Sequence, residues 1–143
     1  MDQRITFVTL AVADLTATKE FYLAALGWEA SYQDETVLML QVAPGVMLSF
    51  WDVTEFEAEV GPVKLGQAPL TLAHNCRSAQ AVDSVLRTAV NAGGTLLVPG
   101  TARAWGGYSG YFSDPTGYRW EIAWNPSPLG ERLLDEADAA AQL

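Results

Sequence analysis

Residues 110–124, GYFSDPTGYRWEIAW, decide how this chain is read. Asp114-Pro115-Thr116-Gly117 has the composition of a tight turn. The runs on either side are aromatic and β-branched, as strands are. One carboxylate, Glu121, stands inside the second run, between Trp120 and Ile122. Side chains alternate between faces along a strand. Trp120, Ile122 and Trp124 therefore share one face, and Arg119, Glu121 and Ala123 share the other.

Working outward, this last strand has an earlier counterpart. GVMLSFW (45–51) matches GYRWEIAW (117–124) through Gly45 and Gly117, an offset of 72 that places Ser49 opposite Glu121. The stretches before them repeat too. VTLAVADLTATKEFYLAALGW (8–28) and LTLAHNCRSAQAVDSVLRTAVNAGG (70–94) each begin as a short strand. Each strand ends in a turn-like pair, Asp14-Leu15 or Cys76-Arg77. Each then continues as an amphipathic helix stopped by Gly27 or Gly93. Thr9-Leu10 match Thr71-Leu72 at an offset of 62, and the second helix reads as about one turn longer.

Three strand-like runs follow each helix: WEASYQ (28–33), TVLMLQV (36–42) and GVMLSFW, then GTLLVPG (94–100), GGYSGYF (106–112) and GYRWEIAW. The pattern predicts an α+β fold of two tandem βαβββ modules in one domain over 1–127. Module one covers 4–52, a linker with a turn at Gly61-Pro62 covers 53–68, and module two covers 69–125. A C-terminal tail, 128–143, reads as a short helix packing Leu133 and Leu134.

The chain has 143 residues, half of them hydrophobic and 17% charged, which suits a folded domain with a real core. Its formal charge of −9 argues against nucleic acid, whose phosphates need a basic patch. It permits a cationic ligand, and it also suits plain solubility. No apolar run approaches the roughly 20 residues that span a bilayer, so no membrane role is expected. The lone Cys76 excludes an intrachain disulfide, and the first residues lack a signal-peptide pattern. A cytoplasmic location is the expectation.

With these words in this order, VADLTATKEFYLAALGW early and YFSDPTGYRWEIAWNP late, the chain resembles the vicinal oxygen chelate superfamily. That group includes glyoxalase I, extradiol dioxygenases, fosfomycin-resistance enzymes and bleomycin-resistance binding proteins. The resemblance covers residues 4–125. It implies that the two modules form a half-open barrel, often within a homodimer, with a metal held between the sheets in the metal-dependent members. Carried over by position, the four ligand sites fall on Phe7, Ser49 (Leu48 in a one-residue slip), Pro69 and Glu121. One of the four is a plausible ligand, so no metal is expected. A divalent metal through Glu121 is the alternative.

Parity assigns the inner face. It takes Ile5, Phe7, Thr9 and Ala11; Met47, Ser49 and Trp51; Thr71 and Ala73; and Arg119, Glu121 and Ala123. His74 and Cys76 fall on the opposite, helix-packed face, which argues against a metal pair or a nucleophile there. Many inner residues are small, so either a ligand or larger side chains must fill the space. Trp51, Trp105, Tyr108 and Tyr111 are the candidate walls or fillers. Trp105-Gly106-Gly107 reads equally as a lid and as a glycine-permitted bulge.

The leading expectation is a metal-independent binder of a cationic or aromatic small molecule. Its candidate ligand-binding residues are Phe7, Thr9, Ser49, Trp51, Thr71, Trp105, Tyr108, Arg119 and Glu121. The alternative is a glyoxalase-like lyase, isomerase or dioxygenase in which Glu121 is the catalytic acid, base or metal ligand. Arg119, two residues away on the same face, is a possible ion-pair partner for it.

Overall fold

The computed structural model describes residues 1–140, in two units, Met1–Gly66 and the chain from Gln67 onward. Unit one runs β1 (Phe7–Val12), α1 (Leu15–Lys19) with a π-helical continuation (Glu20–Ala25), β2 (Tyr32–Gln33), β3 (Val37–Ala43), β4 (Val46–Asp52) and α2 (Val53–Val60). Asp14 caps α1 by accepting from the Ala17 N–H at 2.8 Å. Gly27, at φ +73°, takes the left-handed turn just past the helical stretch. The sheet order is β1-β4-β3-β2, with the first and last strands parallel.

Unit two runs β5 (Thr71–Cys76), α3 (Ala79–Asn91), β6 (Thr95–Ala102), β7 (Tyr108–Ser113), β8 (Arg119–Trp124) and α4 (Pro128–Ala140). Its order, β5-β8-β7-β6, repeats that of unit one. Each unit is therefore an open four-stranded βαβββ module, and the fold is α+β.

Alternation along the strands builds each core. In unit one Leu10, Val12, Leu38, Leu40, Leu48 and Phe50 are buried. Phe50 meets Tyr22 of the π-helical stretch at a ring distance of 4.7 Å, which identifies the helix side of that sheet. In unit two Phe112 and Trp120 stack at 6.3 Å, and Val82, Leu86 and Ala89 of α3 are buried. Gly110 leaves room for Leu86: a Cβ there would lie 2.5 Å from its Cδ1.

The Asp114-Pro115-Thr116-Gly117 turn is held by Asp114, only 3% exposed. Its Oδ1 accepts from the Thr116 N–H, the Thr116 hydroxyl and the Tyr118 N–H at 2.9–3.0 Å. In unit one Asp34 makes the same kind of turn between β2 and β3, its Oδ1 accepting from Thr36 and Val37. An Asx turn thus closes the β7–β8 hairpin of unit two and the β2–β3 hairpin of unit one.

Several expectations change. The linker is not irregular throughout, because Val53–Val60 is helical, capped by Asp52. The run WEASYQ is strand only at Tyr32–Gln33, while β6 extends beyond Gly100 to Ala102. Cys76 is still in β5, so the turn falls at Arg77-Ser78, and the second helix is capped by Ser78. It has 13 residues against 11 in the first helical stretch, about half a turn more rather than a full one. In α4, Leu133 is 45% exposed rather than packed, and residues 141–143 of the tail lie outside the described residues. Arg77 ties α4 down through Asp135 and Asp138.

Strand pairing also corrects the repeat. Thr9 stands opposite Ser49, and Ala73 opposite Glu121. The last strands keep their offset of 72 (121 − 49), but the first strands repeat at 64 (73 − 9), not 62. The caps Asp14 and Ser78 are also 64 apart. The counterpart of Phe7 is thus Thr71 and not Pro69. Both offsets are even, so the assignment of faces is unaffected.

Candidate functional site

On unit two, the sheet face away from α3 carries the chemistry. Register places Thr71 beside Arg119, Ala73 beside Glu121, and Glu121 beside Tyr111 on its other flank. The Tyr111 hydroxyl donates to Glu121 Oε1 at 2.8 Å. Burial first, and the neighbouring Glu121 carboxylate next, push the Tyr111 pKa up; Ser109 and Arg103 pull the other way. The phenol thus stays a donor across the physiological range, and one oxygen of Glu121 is engaged by it.

Arg119 does not pair with Glu121. Its Nη2 donates to the Ala68 carbonyl at 3.1 Å, and its buried Nε has no hydrogen-bond partner among the described residues. The charged neighbour of Tyr111 is instead Arg103, whose guanidinium lies over the Tyr111 ring, 5.6 Å from the centroid. Arg103 Nε donates to Ser109 Oγ at 2.9 Å and Nη2 to the Ser109 carbonyl at 3.0 Å. Ser109 is fully buried, so this anchor is fixed.

Arg103 owes its position to the β6–β7 hairpin. The Gly106 N–H donates to the Arg103 carbonyl at 3.0 Å and the Arg103 N–H to the Gly107 carbonyl at 2.8 Å. Gly106 sits at φ +92°. A tight turn followed by a left-handed glycine is a common three-residue hairpin connection. The segment considered as a lid is this short connection, with Thr101 and Ala102 already in β6. Trp105, 53% exposed, lays its ring where a side chain at Gly107 would stand: a Cβ there would be 1.7 Å from the ring. Gly107 continues the alternate row of Ser109 and Tyr111, so Trp105 borders the same face.

Tyr108 falls on the other side. It pairs across from Trp124, and its hydroxyl donates to Asp83 of α3 at 3.0 Å. The two tyrosines of β7 differ by an odd number of positions, so only Tyr111 shares the face of Glu121. His74 and Cys76 pair with Ile122 and Trp124, also on the α3 side. Cys76 is buried, and burial raises its thiol pKa.

On unit one, Phe7, Thr9, Ser49 and Trp51 share a face opposite the helix side. Thr9 adjoins Ser49, and Phe7 adjoins Met47. Ser49 is 1% exposed and its Oγ has no hydrogen-bond partner among the described residues. Trp51 is met edge-on by Phe56 of α2 at 6.2 Å, and Phe7 is 51% exposed.

With the register corrected, the four positions to which the resemblance would assign metal ligands hold a phenyl ring (Phe7), two hydroxyls (Ser49, Thr71) and one carboxyl group (Glu121). A catalytic zinc or iron site takes about three His, Cys or carboxylate ligands, so this donor set does not fit one. Among the described residues no three His, Cys, Asp or Glu side chains are grouped to hold a metal.

A cavity of about 280 Å³ lies elsewhere, between α3 and β6, lined by Leu86, Val90, Leu96 and Pro99 with Asp83 and Arg87 among its polar residues. It contains none of the residues singled out from the sequence. No helix among the described residues is long and apolar enough to cross a membrane.

Comparison with known proteins bears on the whole fold. Residues 4–122 match the Glyoxalase/Bleomycin resistance protein/Dioxygenase superfamily. A glyoxalase-related enzyme from Fulvimarina pelagi is 36% identical, with a TM-score of 0.81 over 87% of this chain and 89% of that one. A lactoylglutathione lyase from Agrobacterium tumefaciens, 20% identical with a TM-score of 0.68 over 87% and 95% of the two chains, shares the fold. An uncharacterized protein of Mycobacterium bovis is 32% identical over 79 residues, 55% of this chain; the match spans 48% of that protein's length. The chain belongs to the glyoxalase/bleomycin resistance protein/dioxygenase superfamily.

Proposed function

We propose that this chain is a metal-independent small-molecule-binding protein whose ligand engages the Tyr111–Glu121 face of unit two. The observation that carries this is the 2.8 Å hydrogen bond from Tyr111 to Glu121 Oε1, on a face whose neighbours Ala73 and Ala123 are small. Apolar walls with a few oriented polar groups are what small-molecule sites are made of. Glu121 Oε2 accepts nothing among the described residues and is free for a donor. An amine-bearing aromatic compound supplies that donor and a ring for Trp105. Sequestering such a compound, as a homodimer in the cytoplasm, is the role we assign. Metal independence rests on the donor set at Phe7, Ser49, Thr71 and Glu121.

The cavity beside α3 is the less suitable site. Its Asp83 already accepts from Tyr108, and its lining is mostly aliphatic.

One observation favours a second reading, an enzyme. Tyr111 and Glu121 are a proton donor and acceptor in contact, the minimum for acid–base chemistry beside a carbonyl. A thermal-shift screen of amine-bearing aromatic compounds against the wild type and Glu121→Gln tests the binding proposal. Stabilisation of the wild type that is lost in the variant supports it. Equal shifts in both proteins sink it.

A further inference from the structure

We infer that the ligand of the Tyr111–Glu121 face is amphoteric, with an anionic group held by Arg103 and a hydrogen-bond donor held by Glu121. The inference rests on the proposal that this face is a binding site, and it adds a second charge to the compound.

Arg103 and Glu121 are opposite charges that do not neutralise each other. Tyr111 stands between them, the guanidinium on its ring face and the carboxylate on its hydroxyl. Arg103 forms no ion pair among the described residues. Two of its five N–H groups are spent on Ser109, which fixes the plane of the fork and leaves three donors. Glu121 is engaged through one oxygen only. Keeping two part-buried charges apart costs free energy unless something pairs with each of them.

The wider charge balance points the same way. The protein carries −9 overall, yet this face holds Arg103 and Arg119 against the single Glu121. Arg119 adds a buried Nε–H without a partner among the described residues. A purely cationic ligand would answer Glu121 and leave both guanidinium groups unmatched. A compound with a carboxylate at one end and an ammonium, amide or hydroxyl donor at the other, about a phenyl ring apart, answers both sides. Arginine's fixed fork suits a carboxylate, and such charge-assisted bonds are the strong ones.

The test is calorimetric titration of the full-length wild type with 4-(aminomethyl)benzoate, its methyl ester and 4-methylbenzoate. The first carries both groups, the ester only the amine, and the last only the carboxylate. The expected result is binding of 4-(aminomethyl)benzoate at least about tenfold tighter than either analogue, the gain from one charge-assisted hydrogen bond. Arg103→Gln should bring it down to the level of the ester, with Arg103→Lys intermediate. If the ester binds as tightly as the parent acid in the wild type, the anionic half is wrong, while the binding face itself stands. If none of the three binds, this inference fails, and the screen of amines decides the broader proposal separately. The ranking in the wild type holds whether or not the Arg103 variants fold.

Discussion

Tyr111 reaches Glu121 directly across the β7–β8 pair, hydroxyl to carboxylate at 2.8 Å, with the Arg103 guanidinium on its ring. Removing the hydroxyl deletes a charge-assisted bond without changing the ring. Tyr111→Phe should cost about 1–2 kcal/mol of stability by urea unfolding. It should also weaken ligand binding by leaving the Glu121 carboxylate unaimed. An unchanged unfolding midpoint would mean that the bond contributes nothing.

Gly107 admits Trp105 to this face. A Cβ at residue 107 would stand 1.7 Å from the Trp105 ring and 2.5 Å from the Trp124 carbonyl oxygen. Gly107→Ala should therefore cost about 1–3 kcal/mol. Adding Trp105→Ala should recover only part of that, because the clash with the Trp124 backbone remains. Complete recovery would show that only the ring is obstructed.

The Asp114 turn should be more demanding than its surface sequence implies. One buried oxygen accepts three bonds there. Asp114→Ala should cost about 2 kcal/mol or more in denaturant unfolding. Thr116→Ala, which removes only the hydroxyl contact, should cost less. The reverse order would contradict the assigned turn.

These cases show what was legible in the sequence. The two modules, their strands and the face of Glu121 followed from a period of two and from turn residues that state their own geometry. The first-strand offset did not, because Thr-Leu recurs at both 9–10 and 71–72 and imitates a match two residues out of step. The helix caps Asp14 and Ser78 were the better anchors. Counting back from the Asp114 turn pairs residues 111 and 121 and would have chosen Tyr111 over Tyr108. Arg103 was hidden because its contact to Tyr111 depends on a three-residue hairpin whose length the sequence leaves open.

His74, the only histidine, gives a pH signature on the α3 side. It keeps part of its surface exposed, yet burial of the ring lowers its pKa from the ordinary 6.5. The fold favours the neutral ring, so the unfolded chain binds the extra proton. This contribution is fully present above about pH 6.5 and is lost as pH falls through the folded pKa. Stability should decline as pH falls below about 6.5, and His74→Asn should flatten that decline. An imidazole titration by NMR midway at or above 6.5 would contradict it.

The central claim is that Glu121 is the ligand-facing acid of unit two. Its most direct test is calorimetric titration of the wild type and Glu121→Gln with the amine-bearing compound that stabilises the wild type most. The predicted result is at least about a tenfold loss of affinity in the variant, with its unfolding midpoint lowered by no more than Tyr111→Phe lowers it. Equal affinity in the two proteins would contradict the claim.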